Sequence, residues 1–210
     1  GKVLEVGAGE GGILSNLSKA KICDELYAIE ISESGIHQIN KRQIEGLKEV
    51  QLFDGYTIPY PDKHFDLVVC THVLEHVEHP RLLLREINRV SKQQVFEIPI
   101  DFSLNVDKKY KHFLSYGHIN IFTPAIFRFI LFTEGFELKA DLNNLYSKDV
   151  YAFMHDKLSS SLSWKKYTSI KLKNTLRRVF WNLMPKAYTH TKPDTYTCFV
   201  VGTDKTLSIF

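Results

Sequence analysis

The stretch LEVGAGEGG, residues 4–12, decides the fold. Gly7, Gly9 and Gly12 spell G-x-G-x-x-G directly after a short apolar run that is typical of a strand. Glycines let the backbone turn tightly and approach a ligand closely, and the N-terminus of the helix that follows offers N–H groups to an anion. Glu30 ends a second predicted strand, where its carboxylate can accept hydrogen bonds from ribose hydroxyls. The stretch therefore predicts a nucleotide-binding βαβ unit.

The rest of the chain continues the alternation of short apolar runs with helical patterns, which indicates a doubly wound α/β sheet. Ser32 is a plausible N-cap for a helix that runs toward Leu47, and Pro80 and Pro124 stand where first helical residues stand. The pattern predicts strands over 3–6, 26–31, 50–53, 65–70, 94–98, 136–142 and 196–202, and helices over 13–19, 82–90 and 125–133.

Length and composition indicate a single domain, residues 1–210, with an ordinary soluble balance of 44% hydrophobic and 24% charged residues. The net charge of +3 is too small to indicate nucleic acid as a partner. Three scattered cysteines favour reduced thiols and a cytoplasmic location. Because the chain opens on a predicted core strand at Lys2, we expect an N-terminal segment to be missing.

Two acids bear on which nucleotide binds. Glu5 lies two residues before the first glycine and Glu10 lies inside the turn, where carboxylates would repel a pyrophosphate. A ligand without phosphate but with a cationic end would be favoured there. S-adenosylmethionine, which carries an ammonium and a sulfonium, meets this requirement.

Glu5–Gly11, E-V-G-A-G-E-G, resembles the first motif, E/D-x-G-x-G-x-G, of class I S-adenosylmethionine-dependent methyltransferases of the small-molecule type. Four further segments and one acid resemble the same family in the same order. They are Asp54 after the third strand, IPYPDKHFDLVV at 58–69, HVLEHV at 72–77, GHINIF at 117–122 and Gly135-Phe136. The resemblance covers residues 3–142 and the last strand at 196–203; the long segment between them departs from the family.

The resemblance implies a Rossmann-like, mostly parallel seven-stranded sheet with an antiparallel last strand, and S-adenosyl-L-methionine as cofactor. Glu5 would support the amino-acid end of the cofactor, Glu30 its ribose and Asp54 its adenine. The full set of cofactor-binding residues implied is Glu5, Gly7, Gly9, Gly11, Glu30, Ile31, Asp54, Gly55 and His72.

His72, Glu75 and His76 also spell H-x-x-E-H, a zinc-protease signature. Such a site needs both histidines on one face of a helix. Here His72 follows the buried strand 65–70 by two residues, so we expect Glu75 and His76 in a loop at the sheet edge. The residues therefore predict no metal site, and the resemblance assigns this loop to the methionine end of the cofactor pocket.

Candidate catalytic residues follow the fourth and fifth strands. Methyl transfer needs mainly approach geometry and exclusion of water, and a base when the acceptor is a hydroxyl. The segment DFSLNVDKKYKHFLSYGH, 101–118, is polar and aromatic without helical periodicity, and it is interpreted as a substrate loop. His118 is the first choice as base and His72 the second; Asp101, Tyr110, His112 and Tyr116 are the other candidates.

The segment 147–193 is predicted to be a basic helical insertion between the last two strands. Apolar residues recur in it at helical spacing among lysines and arginines. One interpretation is peripheral membrane contact through 164–184; the others are a helix that packs its apolar stripe on the domain, or a cap over the active site.

The sequence thus predicts a methyltransferase acting on a small-molecule acceptor, such as a sugar or a lipid-linked intermediate. The alternatives are a non-catalytic methyltransferase-like binding module and an NAD(P)-dependent oxidoreductase, which would share the glycine turn and Glu30.

Overall fold

The computed structural model describes residues 1–102, 106, 110–147, 150, 164–183 and 193–203, without the side chains of 112, 166 and 167. The strands are β1 Lys2–Val6, β2 Glu25–Glu30, β3 Leu47–Leu52, β4 Phe65–Thr71, β5 Ser91–Pro99, β6 Phe136–Asn144 and β7 Thr195–Gly202. The helices are α1 Gly12–Ala20, α2 Glu33–Lys41, α3 Pro80–Val90, α4 Tyr110–Tyr116, α5 Pro124–Thr133 and α6 Trp164–Leu183.

The seven strands form one sheet in the order β3-β2-β1-β4-β5-β7-β6. Strands β1 to β5 pair in parallel, and β7 is antiparallel to both of its neighbours, β5 and β6. The predicted mostly parallel sheet with an antiparallel last strand is confirmed. The strand order reverses between β1 and β4, so a crevice for ligands opens at their carboxyl ends.

The sheet is covered by helices on both faces. Leu83, Leu84 and Ile87 of α3 are fully buried together with Phe127 of α5 in the larger of two apolar clusters. The other cluster contains Leu14 of α1 and Ile39 of α2. Parallel strands buried on both faces have near-continuous apolar sequences, which is why they were recognisable in the sequence.

Side-chain caps fix where α2 and α5 begin. Ser32 Oγ accepts a hydrogen bond from Gly35 N at 3.1 Å, and Thr123 Oγ1 accepts one from Ile126 N at 3.1 Å. The Ser32 N-cap is confirmed, but the expected extension of α2 to Leu47 is wrong. Gln43 and Gly46 have φ of 48° and 81°, and these left-handed residues turn the chain directly into β3.

The structure describes α6 within the predicted insertion, of which 148–149, 151–163 and 184–192 lie outside the described residues. The 147–193 boundaries stay a prediction. The expectation that its apolar stripe packs on the domain is wrong. Exposed fractions are 48–75% for Leu172, Leu176, Val179, Phe180 and Leu183. The helix contacts the domain through polar residues instead. Asn174 is buried, and the Arg177 guanidinium donates to the Asp194 carboxylate at 2.8 Å. No described helix is long and apolar enough to cross a bilayer.

Arg89 at the end of α3 holds the segment between β3 and β4 in place. Its guanidinium donates to the backbone oxygens of Ile58 and Tyr60, at 2.9 Å each, and to the Asp62 carboxylate at 2.8 Å. It also forms a two-bond pair with Glu86 at 2.7 and 2.8 Å. Such forked, charge-assisted bonds are stronger than neutral ones.

Arg89→Met should therefore lower the free energy of unfolding by about 2–4 kcal/mol, because it removes these five hydrogen bonds and leaves the Glu86 carboxylate without its cationic partner. Urea denaturation measures the change. The control is Arg128→Met, which removes one exposed 3.2 Å ion pair with Asp141 and a 5.8 Å contact with the Tyr196 ring, and it should cost about 1 kcal/mol. Equal effects in the two variants would contradict this assignment.

Candidate functional site

The glycine turn after β1 lies at the crevice and has a left-handed backbone. Gly7 has φ of 71°, and a Cβ there would lie 2.4 Å from Val73 Cγ2, so only glycine lets the loop after β4 pack against the turn. Gly9 has φ of 53°, and no protein atom lies within 4 Å of where its Cβ would be. The space beside Gly9 is therefore open to a ligand that approaches the backbone.

The carboxylate of Glu30 fastens this turn to the start of α2. Its two oxygens accept hydrogen bonds from Gly9 N at 2.8 Å and Ser32 N at 3.0 Å. Gly35 makes the junction possible, because a Cβ there would lie 2.7 Å from the Gly9 oxygen. Sequence reasoning missed Gly35; the only signal was a glycine in the first turn of a helix, where it lowers helix propensity.

Glu5 is 2% exposed and accepts a hydrogen bond from Leu14 N of α1 at 3.1 Å. Burial raises the pKa of its carboxyl to about 8; the Leu14 hydrogen bond opposes this rise and the charge of Glu30 adds to it. Near neutral pH the group is therefore largely protonated until a cation approaches. Its predicted role at the amino-acid end of the cofactor stays a prediction.

The predicted adenine residues lie together at the end of β3. Asp54 Oδ1 accepts from Thr57 N at 2.6 Å and from Tyr56 N at 2.8 Å, and these bonds lower the pKa of Asp54. Phe53 N donates to the Glu30 backbone oxygen at 3.2 Å, which places Asp54 beside the ribose candidate. Ile31 is 64% exposed, and its Cδ1 atom would lie 3.9 Å from a Cβ added at Gly55. An apolar surface therefore adjoins Asp54.

His72 lies between two acids at the end of β4. Its backbone is left-handed, with φ of 54°, and its N–H donates to the Glu97 backbone oxygen at 3.0 Å. The ring places Nε2 3.1 Å from Glu97 Oε1 and Nδ1 3.4 Å from Glu75 Oε1. Burial lowers the pKa of His72, but Glu75 and Glu97 outweigh it and raise the pKa to about 9. A largely protonated ring favours donation of a hydrogen bond over action as a base.

His118 lies on the other side of the same loop. Its Nδ1 is 2.5 Å from Asp101 Oδ2, a pair that fixes the ring after β5. The next two backbone N–H groups, of Ile119 and Asn120, donate to the backbone oxygen of Glu75 at 2.9 and 3.0 Å. The structure thus brings both predicted catalytic histidines to one edge of the sheet, about the buried Glu75; their catalytic roles stay predictions.

The segment 101–118 differs in part from the expected irregular loop. Residues 110–116 form helix α4, and Gly117, with φ of 70°, ends it and directs the chain to His118. Tyr110 is exposed, Tyr116 packs against the His118 ring at 5.8 Å, and the His112 side chain lies outside the described part. Seven residues offered too short a helical pattern to detect.

The structure also brings two unpredicted residues to this edge. Glu97 binds His72, and Tyr146 has its ring 6.4 Å from that of His72. Burial raises the pKa of the Tyr146 hydroxyl, so it stays protonated and can donate. Glu97 lies within an apolar run that predicts a strand. An acid buried there requires a partner, so Glu97 could have been predicted from the sequence as a site residue.

The doubly wound sheet and the glycine turn, with Glu5, Glu30 and Asp54 around it, are similar to those of class I, S-adenosylmethionine-dependent methyltransferases. Residues 4–96 match the model of the family described as "Methyltransferase domain". This match confirms the resemblance seen in the sequence, and S-adenosylmethionine is the cofactor of enzymes of that class.

Curated relatives match a little under half of the chain. The Bacillus subtilis protein YrhH is 31% identical over 91 residues, which are 42% of this chain and 51% of YrhH. The ubiquinone/menaquinone biosynthesis C-methyltransferase UbiE of Cupriavidus necator is 31% identical over 105 residues, 49% of this chain and 43% of UbiE. The chain thus spans about half the length of these relatives.

Solved structures share the fold over more of the chain. A SAM-dependent methyltransferase from Thermotoga maritima superposes with a TM-score of 0.63 at 16% identity, over 97% of this chain and 83% of that one. Another from Aquifex aeolicus gives a TM-score of 0.55 at 20% identity, over 68% and 75% of the two chains. At these identities the likeness shows the fold.

The raised pKa of Glu5 predicts how stability depends on pH. Between the unfolded value of 4.5 and the folded value of about 8, the folded chain holds a proton that the unfolded chain has lost. The free energy of unfolding contributed by this group therefore falls as pH rises through that window, by up to about 1.4 kcal/mol per pH unit. Glu5→Gln should lack this term.

The measurement is urea denaturation of the two proteins from pH 5 to pH 8 without cofactor. The wild type should lose stability relative to Glu5→Gln as pH rises. Parallel stability curves would show that Glu5 is ionised in the folded chain across the whole range.

Proposed function

We propose that this domain transfers a methyl group from S-adenosylmethionine to a small-molecule acceptor. One observation carries the proposal. The open glycine turn, with Glu30 beside it, lies at the same edge of the sheet as the His72–Glu97 and His118–Asp101 pairs. The loop 72–77 joins the two parts, because Val73 packs on Gly7 while His72 binds Glu97. Cofactor and acceptor would thus meet over this loop.

The residues fit the cofactor. The open side of Gly9 admits a ligand to the backbone, and Glu30 holds carboxylate oxygens next to it. Ile31 and Gly55 offer an apolar surface for a base beside Asp54. The Glu5 side chain of β1 reaches Leu14 N in the first turn of α1, where a protonated acid can ionise when a cation arrives. A dinucleotide pyrophosphate would instead lie beside the exposed carboxylate of Glu10 in the glycine turn, which disfavours an oxidoreductase.

The bound cofactor supplies an electrophilic methyl group on a sulfonium. The acceptor atom forms a bond to the methyl carbon as the carbon–sulfur bond breaks, and a hydroxyl acceptor must lose its proton. His118, whose Nδ1 is held by Asp101, can take that proton on Nε2. The His72–Glu97 pair and the protonated Tyr146 hydroxyl line the edge where the acceptor would lie.

Binding of S-adenosylhomocysteine tests the cofactor. We expect calorimetric titration to show binding that Glu30→Gln weakens at least tenfold, because a neutral amide is a poorer acceptor for ribose hydroxyls. Gly9→Ala should also abolish binding while lowering stability by only about 1 kcal/mol, since its Cβ meets no protein atom but fills the space for the ligand.

Glu45→Gln, an exposed acid before β3, is the control and should bind as the wild type does. NADH is titrated in parallel, and binding of NADH in place of S-adenosylhomocysteine would overturn the proposal. Binding of the latter without methyl transfer to any acceptor of a sugar and lipid panel would favour the non-catalytic module.

The exposed face of α6 supports an acceptor that is presented at a membrane. Its apolar stripe faces solvent, and Lys165 and Lys173 lie exposed on the same helix. A helix with an exposed apolar face and basic neighbours is suited to an anionic lipid surface. We include in the proposal that the acceptor is lipid-linked and that 164–183 contacts the membrane.

Vesicles that contain anionic lipid should therefore retain the intact protein at low salt. Leu176→Glu with Phe180→Glu should reduce retention by tenfold or more, because it places charge in the apolar stripe, and Lys165→Gln with Lys173→Gln should reduce it only at low ionic strength. Ile126→Glu, a similarly exposed apolar residue of α5, is the control. Retention that is equal in all variants would remove the membrane part of the proposal.

A further inference from the structure

We propose that Glu75, His76 and His118 form a binding site for a divalent transition-metal ion of the zinc type. One carboxylate oxygen and one ring nitrogen from each histidine lie within 4.8 Å of one another. Two imidazoles and a carboxylate are a donor set that zinc and related ions take, with room for a further ligand. This set differs from the H-x-x-E-H reading, since His118 joins it and His72 does not.

Glu75 is the first argument for an ion. Its side chain is 0% exposed, and neither carboxylate oxygen has a hydrogen-bond partner among the described residues. The nearest cationic groups are imidazoles, His72 Nδ1 at 3.4 Å and His76 Nε2 at 3.8 Å. The contact with the His72 ring offsets part of the cost of burying this carboxylate, and a metal ion between the rings of His76 and His118 would offset the rest.

The second argument is the way the two rings are held. His76 Nδ1 is 3.0 Å from the Gly117 backbone oxygen, which can only accept, so this nitrogen bears the proton. His118 Nδ1 contacts the Asp101 carboxylate in the same manner. In both rings Nε2 is then the nitrogen with a lone pair. Metal-binding histidines are oriented in this way, by a carbonyl or a carboxylate on the other ring nitrogen.

The third argument is that the backbone fixes the three residues relative to one another. Ile119 N and Asn120 N both donate to the Glu75 backbone oxygen, and Asn120 Nδ2 donates to Leu74 O at 3.1 Å and Val77 O at 2.6 Å. The rings of His76 and His118 pack edge to face with centroids 4.9 Å apart. Bond lengths of about 2.0–2.1 Å require the ligand atoms to close to about 3.4 Å, which rotation of the 41% exposed His76 side chain allows.

Metal binding does not depend on methyl transfer, whereas its use in the reaction rests on the proposed function. His118 Nε2 cannot hold an ion and accept a proton at once. With the ion bound, the metal would instead hold an oxygen donor of the acceptor and lower the pKa of its hydroxyl.

The test is titration of the chelator-treated intact chain with Zn²⁺, without cofactor or acceptor. We expect one ion per chain. Glu75→Gln, His76→Asn and His118→Asn should each weaken binding by more than the roughly 10–100-fold that loss of an outer partner costs, and Asp101→Asn should weaken it within that range. Glu78→Gln and His79→Asn, an exposed acid and histidine beside the cluster, are the matched controls.

The visible absorption of bound Co²⁺ reports on the metal ligands directly, so replacing a residue with only a structural role would not change it. The wild type and both controls should show visible absorption typical of low coordination with nitrogen ligands, and the ligand variants should lose it. Circular dichroism checks that each variant folds, and the exposed His76 provides a variant that keeps the fold if Glu75→Gln does not. No Zn²⁺ binding by the wild type, or unchanged affinity in His76→Asn and His118→Asn, would overturn the site while leaving cofactor binding untouched.

Discussion

The Glu30 carboxylate, which accepts from Gly9 N and Ser32 N, is the junction on which the site depends. It joins the turn after β1 to the helix after β2, and both elements lose their geometry if the junction opens. The close approach of Gly35 to the Gly9 oxygen leaves no room for a side chain there. Because the acid is buried and both bonds are charge-assisted, the turn is held in an open, left-handed form before any ligand binds.

The strand order determines which chemistry surrounds that turn. Since β1 and β4 are neighbours at the point where the order reverses, the loop 72–77 packs on Gly7. Since β5 lies next to β4, Glu97 faces His72 and the chain after β5 returns through Asp101 to His118. Residues from three separate segments therefore meet at one edge, which is how a doubly wound sheet assembles sites that no local motif contains.

Much of this architecture follows from local sequence rules, and the exceptions have physical causes. Buried parallel strands are apolar runs and Ser32 and Thr123 cap helices in the usual way, so those elements were predictable. The end of α2 was not predictable, because Gln43 adopts a left-handed backbone and glutamine has no particular preference for that conformation. The His118–Asp101 pair spans 17 residues, and the solvent-facing stripe of α6 depends on which face of the helix the domain contacts. Both are tertiary facts without a local signal.

The distribution of charge unites the two halves of the site. Glu5, Glu30 and Glu75 are all buried at the edge where the crevice opens, and burial of carboxylates is unfavourable unless a partner compensates. Glu30 is satisfied by backbone donors, whereas Glu5 responds by keeping its proton and Glu75 lacks any hydrogen bond among the described residues. In the functions proposed above, a cationic ligand would compensate Glu5 and a metal ion would compensate Glu75. Buried acids at this edge therefore favour positively charged ligands over anionic ones.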